Sequence, residues 1–179
     1  MKKIIALLFI LAFSFSSCEK DDICDANTPT TPRLVIQFYN ANDPSALKNV
    51  TDLKVIGEGM TEGVIFNSAS ITDDKYITNG NTISIPLKTD ANSTTYQFIL
   101  NSNNPNEALI DTDKVTFNYT RQDVFVSRAC GFKTLFTFAT TNKIVHTAVP
   151  ETKQQWMQII AVQKNNIDNE NETHIKVYF

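Results

Sequence analysis

The feature that most constrains the fold is a period-two alternation of apolar and polar side chains, which recurs from residue 33 onward. It appears in the stretches RLVIQFY, NTISIPLK, TTYQFIL, KVTFNYT, FKTLFTF and HIKVYF. Successive side chains of a strand point to opposite faces of a sheet, so this pattern is typical of half-buried β-strands. About eight to ten short antiparallel strands predict an all-β fold, a single β-sandwich of the immunoglobulin-like or a related type. A closed barrel is the lesser alternative.

The alternation also predicts which side chains face the core. The expected inward residues are Leu34, Ile36, Phe38, Ile83, Ile85, Leu87, Tyr96, Phe98, Leu100, Val115, Phe117, Tyr119, Phe132, Thr134, Phe136, Phe138, Ile175, Val177 and Phe179. Pro86 marks its strand as an edge or a bulge, because proline cannot donate a ladder hydrogen bond. Shorter strands are expected at 53–56, 64–66 and 124–126. The segment 151–164 fits a strand or a helix, and we favour the strand.

The first seventeen residues have the pattern of a cleaved secretory signal peptide. Two lysines precede an apolar run over residues 4–15, which ends in two serines and Cys18. The run is too short to cross a bilayer as a helix, since a spanning helix needs about 20 residues. A charged start, a short apolar middle and a small-residue end predict export and cleavage.

The stretch FSSC, residues 15–18, is similar to a lipobox, in which the cysteine is acylated and becomes the mature N-terminus. Phe15 stands where leucine is usual, so a secreted protein with a free N-terminal cysteine remains the alternative. More than one acyl chain would hold Cys18 stably on a membrane. We therefore expect a lipidated tether and linker over 18–32 and the sandwich domain over 33–179.

Three charged residues follow the predicted lipid site. Lys20, Asp21 and Asp22 resemble the export signal of Bacteroidota lipoproteins that are carried to the outside of the outer membrane. The alternative is a periplasm-facing lipoprotein whose charges form only a solvated tether. We expect the exterior face.

The remaining cysteines, Cys24 and Cys130, are expected to form a disulfide, because exported proteins meet an oxidising environment. Two free or metal-binding thiols are the rival interpretation. Only five residues separate Cys18 from Cys24, a reach of about 20 Å when extended. The domain should therefore lie close to the membrane.

Composition and motifs indicate no cofactor, no metal and no catalytic group. The formal charge is −3 and becomes more negative when the signal peptide is removed, which does not suit nucleic-acid binding. His146 and His174 are interpreted as ordinary strand or turn residues. The pair Asp111 and Asp113 lacks the glycine and the distal glutamate of a calcium loop.

Several stretches together resemble a flavobacterial, Bacteroidota lipoprotein family of unknown function. They are CEKDDIC, TPRLVIQFY, SRACGFK and the closing residues Trp156, Asn169, Glu170 and 174–179. The resemblance covers nearly the whole mature chain. It implies a lipoprotein with a β fold and implies no mechanism.

Three functional hypotheses follow. The first is a non-enzymatic structural or interaction subunit beside an outer-membrane protein. The second is a surface lipoprotein that binds a glycan or another small ligand, with Trp156, Tyr96 or Tyr119 stacking on a sugar, although strand aromatics are usually core. The third is an enzyme, which a pocket holding Glu170 or Glu172 with His174 would favour.

Overall fold

A computed structural model describes residues 23–179. These residues form two compact units. The smaller one, called here the hairpin unit, comprises residues 23–30 and 123–133 of the described chain, and the larger one, called here the sandwich, comprises residues 31–122 and 134–179. No helix within residues 23–179 is long and apolar enough to cross a membrane.

Within residues 23–179, eleven strands and two short 3₁₀ helices make up the regular structure. The strands are β1 (Leu34–Tyr39), β2 (Leu53–Gly57), β3 (Ile77–Thr78), β4 (Thr82–Ile85), β5 (Ser93–Leu100), β6 (Asp111–Ser127), β7 (Gly131–Phe138), β8 (Ile144–Val149), β9 (Ile159–Val162), β10 (Asn166–Ile167) and β11 (Ile175–Tyr178). The 3₁₀ helices are Asp73–Tyr76 and Glu107–Leu109. Strands β6 and β7 contribute residues to both units.

The strands form two sheets and no closed barrel. One sheet has four strands in the order β4-β1-β11-β9, and the other has seven, in the order β10-β7-β6-β5-β2-β3 with β8 paired to β6. The N-terminal half of β6 lies between β5 and β8, with Val115 opposite Tyr96 on one side and opposite His146 on the other. The fold is a β-sandwich, as the sequence predicts.

One pairing does not follow the antiparallel pattern. Strand β1 runs parallel to β11, with Ile36 opposite Ile175 and Phe38 opposite Val177, whereas β1 is antiparallel to β4. The terminal stretch HIKVYF therefore lies inside its sheet, between β1 and β9, and offers no free edge. The stretch NTISIPLK does form an edge, as Pro86 indicates.

A single core fills the space between the sheets. Both sheets contribute to one buried apolar cluster, whose largest fully buried side chains include Phe38, Phe98, Phe117, Tyr119 and Phe136. The faces predicted from alternation are the faces that are buried on β1, β4, β5, the N-terminal half of β6 and β11.

Three local expectations are wrong or hold only in part. Phe132 is exposed, whereas Thr134, Phe136 and Phe138 on the same strand face the core. The stretch 64–66 is no strand, and only an isolated bridge joins Gly63 to Ile56 nearby. Within 151–164, only Ile159–Val162 is a strand, and the residues before it are irregular.

Candidate functional sites

The hairpin unit contains the predicted disulfide. Cys24 and Cys130 are bonded, with their Cα atoms 5.0 Å apart and 106 positions of sequence between them. Two free thiols are therefore excluded in this structure. The bond ties the first described residues to the tip of the β6–β7 hairpin.

The stretch SRACGF forms the turn at that tip. Ser127 accepts a hydrogen bond from the backbone N–H of Cys130 at 3.0 Å, which closes the turn across three residues. Gly131 follows with φ of +70°, a left-handed conformation that favours glycine. The turn and the disulfide explain Ser127, Cys130 and Gly131.

Two phenylalanine side chains project from the same hairpin. Phe125 on β6 is 58% exposed and Phe132 on β7 is 69% exposed. Their ring centroids lie 5.4 Å apart in an edge-to-face arrangement. Alternation alone assigned Phe132 to the core, because the pattern continues along β7 beyond the residues that the sandwich buries.

A groove in the sandwich is the second candidate site. It has a volume of about 450 Å³ and is lined mainly by apolar atoms, with Arg33, Met60, Ile65, Pro86, Lys88 and Tyr96 among its residues. The hydroxyl of Tyr96 donates to the carbonyl oxygen of Pro86 at 2.5 Å. Burial raises the pKa of Tyr96 to about 12, although the nearby Arg33 guanidinium acts in the opposite direction.

Arg33, which lines this groove, carries a buried hydrogen-bond donor that has no acceptor. Its Nε atom is buried without a hydrogen-bond partner, and no ion pair of Arg33 occurs within residues 23–179. Lys88 also lines the groove, as do two acidic residues, Glu62 and Glu58, of which Glu58 is bonded to Lys114 at 2.7 Å. Sequence reasoning missed the groove, because the irregular residues 58–65 form one wall.

A buried carboxylate is the third feature. Asp113 on β6 is fully buried. It accepts hydrogen bonds from the backbone N–H groups of Met157 at 2.9 Å and Trp156 at 3.4 Å, and His146 Nε2 lies 2.8 Å away. These contacts hold the irregular segment before β9 against the seven-stranded sheet. Asp113 and His146 therefore stabilise the packing of this segment. No group of three metal-binding side chains occurs in the described part of the chain.

His174 and its acidic neighbours do not form a shared pocket. The ring of His174 is fully buried, and its Nδ1 accepts a hydrogen bond from the Val35 N–H at 3.0 Å. Burial lowers the pKa of His174, against the opposing effect of Glu172. Glu172 pairs with Lys164 at 2.8 Å, and Glu170 accepts from the Arg33 N–H and from Ser84.

The three aromatic residues suggested for sugar stacking lie in the core. Trp156, Tyr96 and Tyr119 are all buried. Trp156 donates from Nε1 to the Phe98 carbonyl oxygen at 3.2 Å, and its ring contacts Phe38 and Phe179. A sugar could not stack on Trp156 or Tyr119 without displacing core residues, whereas Tyr96 also lines the groove described above.

The predicted N-terminal features lie outside the described residues. They are the signal peptide 1–17, the lipidated Cys18 and the export signal of Lys20, Asp21 and Asp22.

The sequence of the domain matches a described protein family. Comparison of the chain with curated proteins and with solved structures gave no significant match. A family model described as a family of unknown function, DUF6452, matches residues 52–179, a range that begins after the CEKDDIC and TPRLVIQFY stretches. The expectation of an uncharacterised family is confirmed in that general form. Because the match covers well over half of the sequence, the chain belongs to the DUF6452 family of unknown function.

Proposed function

We propose that the mature protein is an outer-membrane lipoprotein of Bacteroidota, facing the cell exterior, that acts as a non-enzymatic structural or interaction subunit of an outer-membrane complex. The observation that carries this proposal is the disulfide between Cys24 and Cys130. It binds the hairpin to Cys24, which five residues separate from the proposed lipid site, a reach of about 20 Å along the chain. Such a short tether favours an interaction with another protein of the same membrane.

The open strand edges support docking to a neighbour. In the described sheets, β4 and β9 border the four-stranded sheet. Ile159 on β9 is 58% exposed. An exposed strand edge with an apolar side chain is a ready partner for another protein, because its unpaired backbone groups can extend the sheet.

Co-purification tests the interaction role. Membranes solubilised in mild detergent should yield the protein in a stoichiometric complex with an outer-membrane protein. Ile159→Lys should release the partner, whereas Ile71→Lys, at a 98% exposed site away from the strands, should not. A wild-type protein that runs alone would contradict the proposal.

Anchoring and orientation are tested separately. Mass spectrometry should find an acylated N-terminal peptide beginning at Cys18. Protease added to intact cells should degrade the protein, and alanine at Lys20, Asp21 and Asp22 should protect it. Equal protease resistance of both forms would contradict the exterior location.

The groove favours a second candidate function, the binding of a small ligand. Its apolar lining suits an apolar body, and the Nε–H of Arg33 can donate to an anionic group, since a buried donor without an acceptor is unfavourable. An amphipathic anion therefore fits this groove better than a neutral glycan does.

A fluorescent probe tests the groove. Anilinonaphthalene sulfonate, which combines an apolar ring system with a sulfonate, should bind the folded protein and be displaced by a long-chain fatty acid. Arg33→Gln should weaken both, whereas Arg128→Gln on the hairpin turn should leave them unchanged. Equal binding by both variants would reject the groove as the site.

A further inference from the structure

The exposed aromatic pair on the hairpin needs a chemical explanation. Phe125 and Phe132 contact each other, yet most of each side chain remains accessible to water. Ile23, beside the disulfide in the same unit, is 82% exposed. Exposed apolar side chains are common singly, but a group of them in one small unit marks an interaction site.

The covalent structure of the hairpin unit indicates what covers this surface. Cys130 lies two positions before Phe132 and is bonded to Cys24. The chain that precedes Cys24 leads to Cys18, the proposed lipid site, within five residues. The aromatic pair is therefore held close to the bilayer that receives the acyl chains, an argument that rests on the proposed lipidation.

The residue types of the hairpin suit the surface of a bilayer. Phenylalanine, like tryptophan and leucine, is found on the lipid-facing side of segments that lie in the boundary between lipid and water. Arg128 at the turn is exposed and Lys133 follows Phe132, and basic side chains are attracted to anionic headgroups.

We propose that Phe125 and Phe132 insert into the interfacial layer of the membrane that holds the lipidated Cys18. The protein then has two attachment points, the acyl chains and the aromatic hairpin, joined by the Cys24–Cys130 disulfide. Two points fix the orientation of the hairpin on the membrane, which a single flexible lipid tether does not do. A protein partner or a second copy of the chain on the same surface is an alternative that the experiment distinguishes.

The test uses the purified lipidated protein in vesicles of phosphatidylethanolamine and phosphatidylglycerol that contain brominated acyl chains. Bromine quenches tryptophan that enters the lipid, and the single native Trp156 is buried and serves as the background. The fluorescence of Phe132→Trp and of Phe125→Trp should each be quenched by the brominated chains. Their emission should also lie at shorter wavelengths than the emission of the exposed control. Ile71→Trp, the matched exposed control, should remain unquenched.

The outcomes separate this inference from the proposed function. If mass spectrometry shows acylated Cys18 and neither hairpin tryptophan is quenched, the hairpin does not touch lipid and only this inference fails. If Cys18 carries no lipid, both fail. Quenching of the Ile71→Trp control to the same extent, or detergent-stable dimers that disappear in the Phe125→Ser, Phe132→Ser double variant, would also overturn the inference.

Discussion

Replacing Asp113 by alanine should destabilise the sandwich more than any other single change to a polar side chain considered for this protein. The carboxylate is fully buried, and it joins β6 to the segment that leads into β9. Through that segment it positions Met157 and Trp156, both of which are buried in the core. The substitution removes the acceptor for both backbone N–H groups and the partner of His146 at once.

The magnitude follows from the groups left without partners. A buried donor without an acceptor costs about 1–3 kcal/mol, and the Met157 N–H, with the shortest of the two amide contacts at 2.9 Å, should contribute most. The substitution leaves two backbone donors and the His146 ring nitrogen without their common partner, so more than one such cost applies. We expect Asp113→Ala to lower the free energy of unfolding by about 3–5 kcal/mol, out of a total of about 5–15 kcal/mol for a domain.

Urea unfolding with Trp156 fluorescence measures this effect, because Trp156 is the only tryptophan and its own N–H loses an acceptor. Asp111→Ala is the matched control on the same strand. Asp111 forms an exposed pair with Lys153 at 3.4 Å, so its loss should cost less than about 1 kcal/mol. If Asp113→Ala unfolds within about 1 kcal/mol of the wild type, the carboxylate does not anchor the segment and the reasoning is refuted.

Three further changes have defined outcomes. Burial lowers the pKa of His174 in the folded state below 6.5. As the pH falls through 6.5, the unfolded state takes up this proton before the folded state does, so the free energy of unfolding decreases. His174→Asn should make this decrease smaller when urea unfolding is measured at several pH values. Serine at both Cys24 and Cys130 should lower the unfolding free energy by up to about 4 kcal/mol, and an unchanged urea midpoint would contradict the loop-entropy argument. Trp156→Phe should cost about 1 kcal/mol in urea unfolding followed by far-ultraviolet circular dichroism, because it loses the hydrogen bond to the Phe98 carbonyl oxygen, whereas an unchanged value would mean that the bond is neutral.

The alternation of side chains predicted the faces of the strands well and their neighbours poorly. Leu34, Ile36 and Phe38 are buried as the pattern indicates, because period two fixes which side of a strand is apolar. The same pattern carries no information on which strand lies beside β1. Its parallel pairing with β11, from the opposite end of the chain, depends on the packing of the whole sandwich.

Of the candidate sites, one was predictable from the sequence and others were not. The disulfide was predictable because the cysteine count and the expected export restrict the pairing. The exposure of Phe132 was not predictable, since alternation along β7 cannot show where the core ends. Nor was the groove, whose apolar wall near Met60 and Ile65 comes from irregular backbone without periodicity.

The extent of the folded unit bears on any function assigned to the family. The family match begins at residue 52, whereas β1 (Leu34–Tyr39) lies inside the four-stranded sheet between β4 and β11. Burial of Leu34, Ile36 and Phe38 contributes about 1.5–3 kcal/mol for each side chain, a sum comparable with the stability of a whole domain. Without β1, strands β4 and β11 would lose their shared neighbour, and the core would lose these three side chains. The structural unit that carries the β4 and β9 edges, where we propose that a partner binds, therefore includes β1, upstream of the matched residues.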